Sequence, residues 1–239
     1  HNEGRHRRAN ALLAERAGGL DPQAMAAILA DTGSTPCRIR DSIAMVMTVG
    51  SVVFRPEDGT VWVGTGEAPT SHGAFLPFSF DADGYDPSRG ELRGGDGLPD
   101  DERQAFEQFR RAYLAYLDAD DVGAAEAHLA AAAEHAPSQP LYHSLRGILA
   151  LQRGNAAGAE TALDRALALG HPDAERLASF HLWRGRARDV LGRRRDAVKD
   201  YRAALGHYAD PPVHAAAKRE LRRAFSSRRA RRIHADVGL

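Results

Sequence analysis

Residues 140–173, PLYHSLRGILALQRGNAAGAETALDRALALGHPD, are the second of three similar units along the chain. The same pattern of small and large residues begins 34 residues earlier at Phe106, and it recurs after four inserted residues near His171. The small residues indicate where two helices cross closely, because a larger side chain would force them apart. The recurring positions are Ala125, Leu129 and Ala132 in the first unit, Gly147, Ala159, Leu163 and Ala166 in the second, and Gly185, Ala197, Tyr201 and Ala204 in the third.

The period and the residue pattern resemble the tetratricopeptide repeat over residues 106–211. The resemblance implies an all-α solenoid, in which units of two antiparallel helices stack in a row. We expect residues 101–225 to form three helix-turn-helix units and a capping helix that runs from Val213 to Phe225. Residues 226–239 are expected to form a basic tail.

The concave face of such a stack is built from the first helix of each unit, and we expect it to bind a protein. A clamp for a peptide carboxylate would need cations in two successive units, and only Arg110 and Arg111 in the first unit resemble one. The other inward positions are mostly apolar, which favours a fixed occupant, either another part of the same polypeptide or a helix from a second chain. The predicted groove residues are Arg110, Leu114, Leu117, Leu141, Leu145, Ile148 and Leu151.

Residues 1–95 carry a different signal, which predicts an α+β piece. An Arg- and Ala-rich helix is followed by a second helix, which Asp21 opens as N-cap with Pro22 at the first helical position. Residues 43–66 predict a β-hairpin, and its near-continuous hydrophobicity predicts that both faces are covered. Residues 67–100 are rich in Gly, Pro and Asp and predict an exposed loop followed by a linker.

Four short motifs occur in order in this region: the Arg-rich residues 5–8, Ile28-Leu29-Ala30-Asp31, Pro36-Cys37-Arg38 and Trp62-Val63-Gly64-Thr65-Gly66. Over residues 1–80 they resemble the C-terminal part of the acyl-CoA:6-aminopenicillanic acid acyltransferase family, autoproteolytic enzymes of the Ntn-hydrolase class. The resemblance implies that the α+β piece is part of an αββα sandwich. It also implies that the complete enzyme acts on an acyl-CoA or amide substrate, with Arg5, Cys37 and Arg38 as family-motif residues.

An Ntn enzyme uses the first residue of its mature chain as nucleophile, so that its own α-amine acts as the base. Because His1 is not Cys, Ser or Thr, we expect the nucleophile upstream, no catalytic residue in this chain and no activity of the chain alone. Cys37 leaves three interpretations open. It is a structural residue, a spectator thiol, or a nucleophile that a cut between Pro36 and Cys37 would expose.

The chain has 239 residues and no formal net charge, but its charges are segregated. Residues 81–126 carry thirteen acidic residues against five arginines, whereas residues 218–232 are basic by seven. Such asymmetry indicates either a charged partner such as nucleic acid or a solvated helix end. We favour the second and expect no nucleic-acid partner, since the tail has no aromatic residue beyond Phe225 for base stacking.

Other functional classes are disfavoured by composition. No apolar run reaches the roughly 20 residues of a membrane helix, so we expect no membrane partner. The eleven histidines are dispersed, and we expect neither a metal site nor a cofactor. The lone Cys37 cannot form a disulfide within the chain, which favours a reducing, cytoplasmic location.

The sequence therefore predicts the C-terminal portion of an Ntn-type acyltransferase or amidohydrolase that carries a tetratricopeptide interaction module. The alternative is a non-enzymatic scaffold or adaptor built on the same repeats.

Overall fold

A computed structural model describes residues 2–33, 43–45, 48–81, 84–95 and 99–234. The chain forms two compact units, His1–Pro99 and Asp100–Leu239. Each unit has its own buried apolar core.

The first unit begins with two helices, α1 (Asn2–Glu15) and α2 (Pro22–Leu29). Asp21 caps α2 as predicted, because its side chain accepts a hydrogen bond from the Ala24 backbone N–H at 2.7 Å. Pro22 occupies the first turn, where its missing N–H costs no helical hydrogen bond.

An antiparallel sheet of five short strands follows these helices. Its order is β1-β2-β3-β4, and β5 also pairs with β3. The predicted hairpin is formed by β1 and β2, but β3, β4 and β5 lie where the sequence predicted a loop and linker, so that prediction was wrong. Pro77 lies inside β3, and proline within a central strand argues against a strand at the sequence level. The strands are β1 (Val52–Arg55), β2 (Thr60–Gly64), β3 (Ala74–Ser79), β4 (Gly84–Tyr85) and β5 (Leu92–Arg93).

The two faces of this sheet differ. Helix α2 packs on one face, where Ala26 joins Val53, Trp62 and Phe75 in a buried cluster. The opposite face is not covered by described residues, which corrects the prediction that both faces are covered: Val52, Phe54 and Tyr85 on it are more than half exposed. Its cross-strand rows are apolar, namely Val52–Val63–Leu76 and Phe54–Val61–Phe78–Tyr85. A second sheet layer, as in the predicted αββα sandwich, is not found among the described residues.

The second unit is helical. Each of its first six helices packs against the next one along the chain. The A helices α3, α5 and α7 alternate with the B helices α4, α6 and α8, and α9, which overlaps the predicted capping helix, packs on α8. The helices are α3 (Asp100–Leu117), α4 (Val122–His135), α5 (Pro140–Gln152), α6 (Ala156–Leu169), α7 (Ala174–Val190), α8 (Arg194–Gly206), α9 (Pro211–Arg222) and the short α10 (Ser227–Ala230).

The recurring small residues lie where the sequence predicted close helix crossings. In the second pair, a Cβ on Gly147 would stand 2.7 Å from Leu163. In the third pair, a Cβ on Gly185 would stand 2.6 Å from the Tyr201 ring. The equivalent residues of the B helices are completely or almost completely buried, namely Ala125, Ala159 and Ala197, Leu129, Leu163 and Tyr201, and Ala132, Ala166 and Ala204.

The turns inside the three pairs also match. Asp120, Gly154 and Gly192 stand at equivalent positions, and all three adopt a positive φ, of 50°, 89° and 77°. This left-handed conformation ends the A helix and lets the chain reverse, and glycine adopts it without the strain that other residues incur.

We predict that Gly185→Ala lowers the free energy of unfolding by about 1–3 kcal/mol, because its methyl group would push the Tyr201 ring out of the crossing. This loss would outweigh the gain of up to about 1 kcal/mol that alanine brings to a helix interior. Gly206→Ala is the matched control, since a Cβ there meets nothing within 4 Å. Urea unfolding measures both, and a Gly185→Ala chain as stable as wild type would contradict the close crossing.

Candidate functional site

The predicted groove residues differ in their exposure. On α3, Leu114 and Leu117 are 50% and 51% exposed, and Arg110 lies on the surface with its Nη1 3.3 Å from Glu107. The predicted groove residues on α5 are all 5% exposed or less, so this part of the groove is closed to solvent rather than open. These buried residues are Leu141, Leu145, Ile148 and Leu151.

The α5 residues are covered in part by the chain itself. Leu145, Ile148 and Leu151 share one buried cluster with residues beyond the capping helix. Those residues belong to 223–234, which we call the C-terminal segment. This shared cluster is compatible with the first of the two predicted occupants, another part of the same polypeptide, which stays a prediction. The residues that the segment contributes to the cluster are Phe225, Ala230 and Ile233.

The C-terminal segment has one buried and one exposed side. After α9 ends at Arg222, the backbone is extended at Arg223 and Ser226 and then forms the short helix α10. Phe225, Ala230 and Ile233 are 7% exposed or less, whereas the basic Arg228 between them faces solvent. The predicted basic tail is thus packed against the repeats over its described part.

The Asp189 carboxylate of α7 anchors the start of this segment. Its Oδ2 accepts hydrogen bonds from the Phe225 backbone N–H at 2.8 Å and from the Tyr201 hydroxyl at 2.7 Å. It also forms an ion pair of 3.0 Å with Arg194. Burial and the hydrogen bond to Asp189 raise the pKa of Tyr201, so its hydroxyl remains a donor. Arg194 in addition donates to the carbonyls of Glu220 and Leu221, at 2.8 Å each.

Arg186 lies one helical turn before Asp189, and its guanidinium group packs against the Phe225 ring. Its guanidinium carbon lies 4.3 Å from the Trp183 ring centroid and 5.0 Å from that of Phe225. Burial lowers the pKa of Arg186 to about 10, although the charge of Glu220 opposes that shift. Stacking between rings suits a guanidinium, because it is planar and weakly hydrated.

Glu220, on the capping helix, holds the second anchor of the segment. Its side chain is fully buried, and both of its oxygens accept hydrogen bonds of 2.8 Å from Arg229. This two-point geometry is specific to arginine, since the ammonium of lysine cannot match it. Arg186 and Arg219 also approach Glu220, at 3.5 and 3.1 Å.

The repeat spacing relates these residues to the predicted groove positions. Arg186 follows Ile148 and Leu114 at the spacing of the repeats, and Asp189 follows Leu151 and Leu117 in the same way. Neither residue is among the predicted groove residues, because those come from the first two units only. Extending the period across the four inserted residues would have found them.

An ion network fixes α7 from its other side. Asp200 of α8 is buried and accepts hydrogen bonds from Arg184 at 2.6 Å and from Arg188 at 2.9 Å. His181 lies 3.2 Å from the same carboxylate. Burial raises the pKa of Asp200, but the hydrogen bonds with His181 and Arg184 lower it more, so the pKa lies below its usual value.

The motif residues of the N-terminal unit are partly described. Arg8 and Asp31 form a two-point ion pair, with distances of 3.0 and 2.7 Å, that ties α1 to the end of α2. Arg5 donates to the Ile43 carbonyl at 3.1 Å. Cys37 and Arg38 lie outside the described residues, so their predicted roles stay predictions.

Other kinds of site receive no support from the described residues. Within the described ranges, no group of three or more His, Cys, Asp or Glu side chains could hold a metal ion. Among the helices described, none is both long and apolar enough to cross a membrane.

Comparisons with known proteins give structural similarity alone. No family model and no curated protein matches the chain. The first tetratricopeptide domain of Spaghetti (RPAP3) bound to the HSP90 peptide SRMEEVD is 22% identical with a TM-score of 0.45, covering 53% of this chain and 94% of that one. The N-terminal domain of stress-induced protein-1 from C. elegans is 19% identical with a TM-score of 0.46, over 53% of this chain and 100% of that one. The Arabidopsis OM64 tetratricopeptide domain is 21% identical with a TM-score of 0.44, over 51% and 97%.

The second unit is a row of helix pairs that repeat every 34 residues, with four inserted residues before the third pair. This spacing, the buried small residues and the packing in chain order resemble tetratricopeptide repeats.

We predict that Asp200→Asn lowers the free energy of unfolding by about 3 kcal/mol at pH 7, because it removes the buried negative charge that both Arg184 and Arg188 contact. The folded-state pKa of Asp200 is depressed, so its stabilisation is complete above the unfolded value of about 3.9 and is lost as pH falls through the folded one. The difference between wild type and variant should therefore shrink in urea unfolding at pH 3.

Asp164→Asn is the control for this prediction. Asp164 contacts the same two arginines, at 2.7 and 3.5 Å, but its side chain is 48% exposed. We expect it to cost less than about 1 kcal/mol at either pH. Equal losses from the two variants at pH 7 would contradict the role assigned to the buried carboxylate.

Proposed function

We propose that this chain is an adaptor whose tetratricopeptide unit binds another protein through its groove. The observation that carries the proposal is the row of A-helix side chains along one face of the stack. At the α3 end of this row, Tyr113, Leu114 and Leu117 are 42–51% exposed. Half-exposed apolar residues grouped on one helix are typical of surfaces that a protein partner covers.

The chemistry of the groove favours a protein over a small molecule. The exposed α3 residues form a shallow apolar strip, and the arginines beside it, Arg110 and Arg111, are each engaged by Glu107. An amphipathic helix or an extended segment can cover such a strip with its own apolar side chains. Because Cys37 is the chain's sole cysteine, we place the adaptor in a reducing, cytoplasmic compartment.

The test is site-specific photo-crosslinking in cells of the source organism. A benzoylphenylalanine at position 114 of the full chain should give a discrete protein adduct, and a Leu117→Asp substitution in the same chain should remove that adduct. Thr161→Asp is the matched control, since Thr161 is an exposed residue of a B helix. An adduct that survives Leu117→Asp, or that Thr161→Asp removes equally, would refute groove binding.

A second candidate function concerns residues 1–80. We propose that they are the C-terminal part of an Ntn-type acyltransferase or amidohydrolase, with the repeats as its docking module. The observation that favours it is the uncovered apolar face of the sheet, where the row Phe54–Val61–Phe78–Tyr85 would suit a second layer. This face, together with the single layer of α2 on the other side, is compatible with half of a sandwich.

The test of this second candidate is the coding sequence upstream of His1. An in-frame self-cleavage site, such as Gly-Cys, ahead of further strands would support it. A longer chain expressed with that sequence should hydrolyse a chromogenic amide and lose the activity when the new N-terminal Cys is replaced by Ala. A start codon within a few residues of His1 would exclude the enzyme and leave the adaptor.

A further inference from the structure

Three contacts hold the C-terminal segment in the groove. They are the Phe225 ring on Arg186, the Phe225 N–H on Asp189, and the two-point contact of Arg229 with Glu220. The ring also lies 4.7 Å from the Arg229 guanidinium, so the aromatic residue and the arginine four positions later act together.

The two carboxylates that bind the segment also have partners outside it. Asp189 keeps Tyr201 and Arg194 as partners from α8, and Glu220 keeps Arg219 from its own helix. Arg194 also ties the start of α8 to the end of α9. A site whose carboxylates are already held in place needs little reordering when a ligand enters, which favours binding.

The composition of the C-terminal segment suits a ligand that another protein can displace. Its twelve residues contain five arginines and no acidic residue. Arg223, Arg228, Arg231 and Arg232 are exposed, and only Phe225, Ala230 and Ile233 are buried. Segments with few buried contacts belong to the least stable part of a fold and open locally most easily.

From these observations we propose that Trp183, Arg186, Asp189 and Glu220 form a receptor for basic protein segments with the arrangement Phe-x-x-x-Arg. In the isolated chain the C-terminal segment occupies this receptor as a resident competitor. A partner protein that carries the same arrangement displaces it. The proposal rests on the adaptor function and names the chemistry of its partner: an aromatic ring for Arg186, a backbone N–H for Asp189 and an arginine for Glu220.

The geometry also predicts which ligands should not bind the receptor. A lysine in place of the arginine would lose one of the two contacts with Glu220. An acidic residue there would place like charges together beside a fully buried carboxylate. We therefore expect basic segments to bind and acidic ones not to bind.

The experiment measures binding of a labelled peptide with the sequence of residues 222–234, RRAFSSRRARRIH, to the full-length chain by fluorescence anisotropy. We expect the Phe225→Ala chain to bind the peptide about tenfold or more tightly than the wild-type chain, because its own segment no longer competes. An Arg229→Ala chain should behave in the same way, and an Arg228→Ala chain, with the same loss of charge at an exposed residue, should resemble wild type.

Peptide variants identify the anchors, with the Phe225→Ala chain as receptor. Replacing the phenylalanine by alanine should weaken binding about tenfold or more. An arginine-to-lysine change at position 229 should weaken binding, whereas the same change at position 228 should leave it unchanged. Circular dichroism melting must first show that each receptor chain is folded; if Phe225→Ala is not, the Arg229→Ala chain takes its place.

Two results would overturn the proposal. One is the absence of peptide binding by a folded Phe225→Ala or Arg229→Ala chain; the other is equal binding of the peptide that lacks the phenylalanine. Neither result depends on the crosslink at position 114, which uses no peptide. Absence of the adduct from the otherwise unchanged chain, or an adduct that survives Leu117→Asp, would refute the adaptor function instead, so the two proposals can fail separately.

Discussion

The Asp189 carboxylate is the contact on which the arrangement of the groove depends. It lies at the end of an A helix, where it receives the hydroxyl of Tyr201, the guanidinium of Arg194 and the backbone N–H of Phe225. These donors come from α8 and from the C-terminal segment. The buried Asp189 carboxylate therefore joins the third helix pair to the C-terminal segment. A buried carboxylate is stable only when several donors satisfy it, and each of these donors is thereby fixed in position.

The repeats were predictable because helix pairing imposes a period on the residue sizes. The positions of Gly147 and Gly185, and of the alanines that recur on the B helices, follow from contact between neighbouring helices, which is local in sequence. The occupancy of the groove was not predictable in the same way. This occupancy depends on contacts such as that between Phe225 and Asp189, which are 36 residues apart. No spacing rule in the sequence predicts such contacts. The period, extended over the inserted residues, would nevertheless have placed Arg186 and Asp189 at inward positions.

The first unit shows how composition can conceal a sheet. β3 contains Pro77, and glycines surround β4 and β5, so the sequence favoured a loop. The strand forms because Phe75 and Pro77 bury their side chains, against Leu92 and Trp62 on the neighbouring strands. Tertiary burial thus overrides local preference. The ion pair of Arg8 and Asp31 brings together two segments that are 23 residues apart in the sequence.

The order of elements along the chain has a consequence for synthesis. Every residue of the receptor precedes the C-terminal segment, and the repeats form mainly through contacts between neighbouring helices. Repeat arrays of this kind can fold from their N-terminal end while translation continues. The part of the receptor on α7, with Trp183, Arg186 and Asp189, can therefore form well before the segment emerges, whereas Glu220 precedes Phe225 by only five residues and emerges almost together with it.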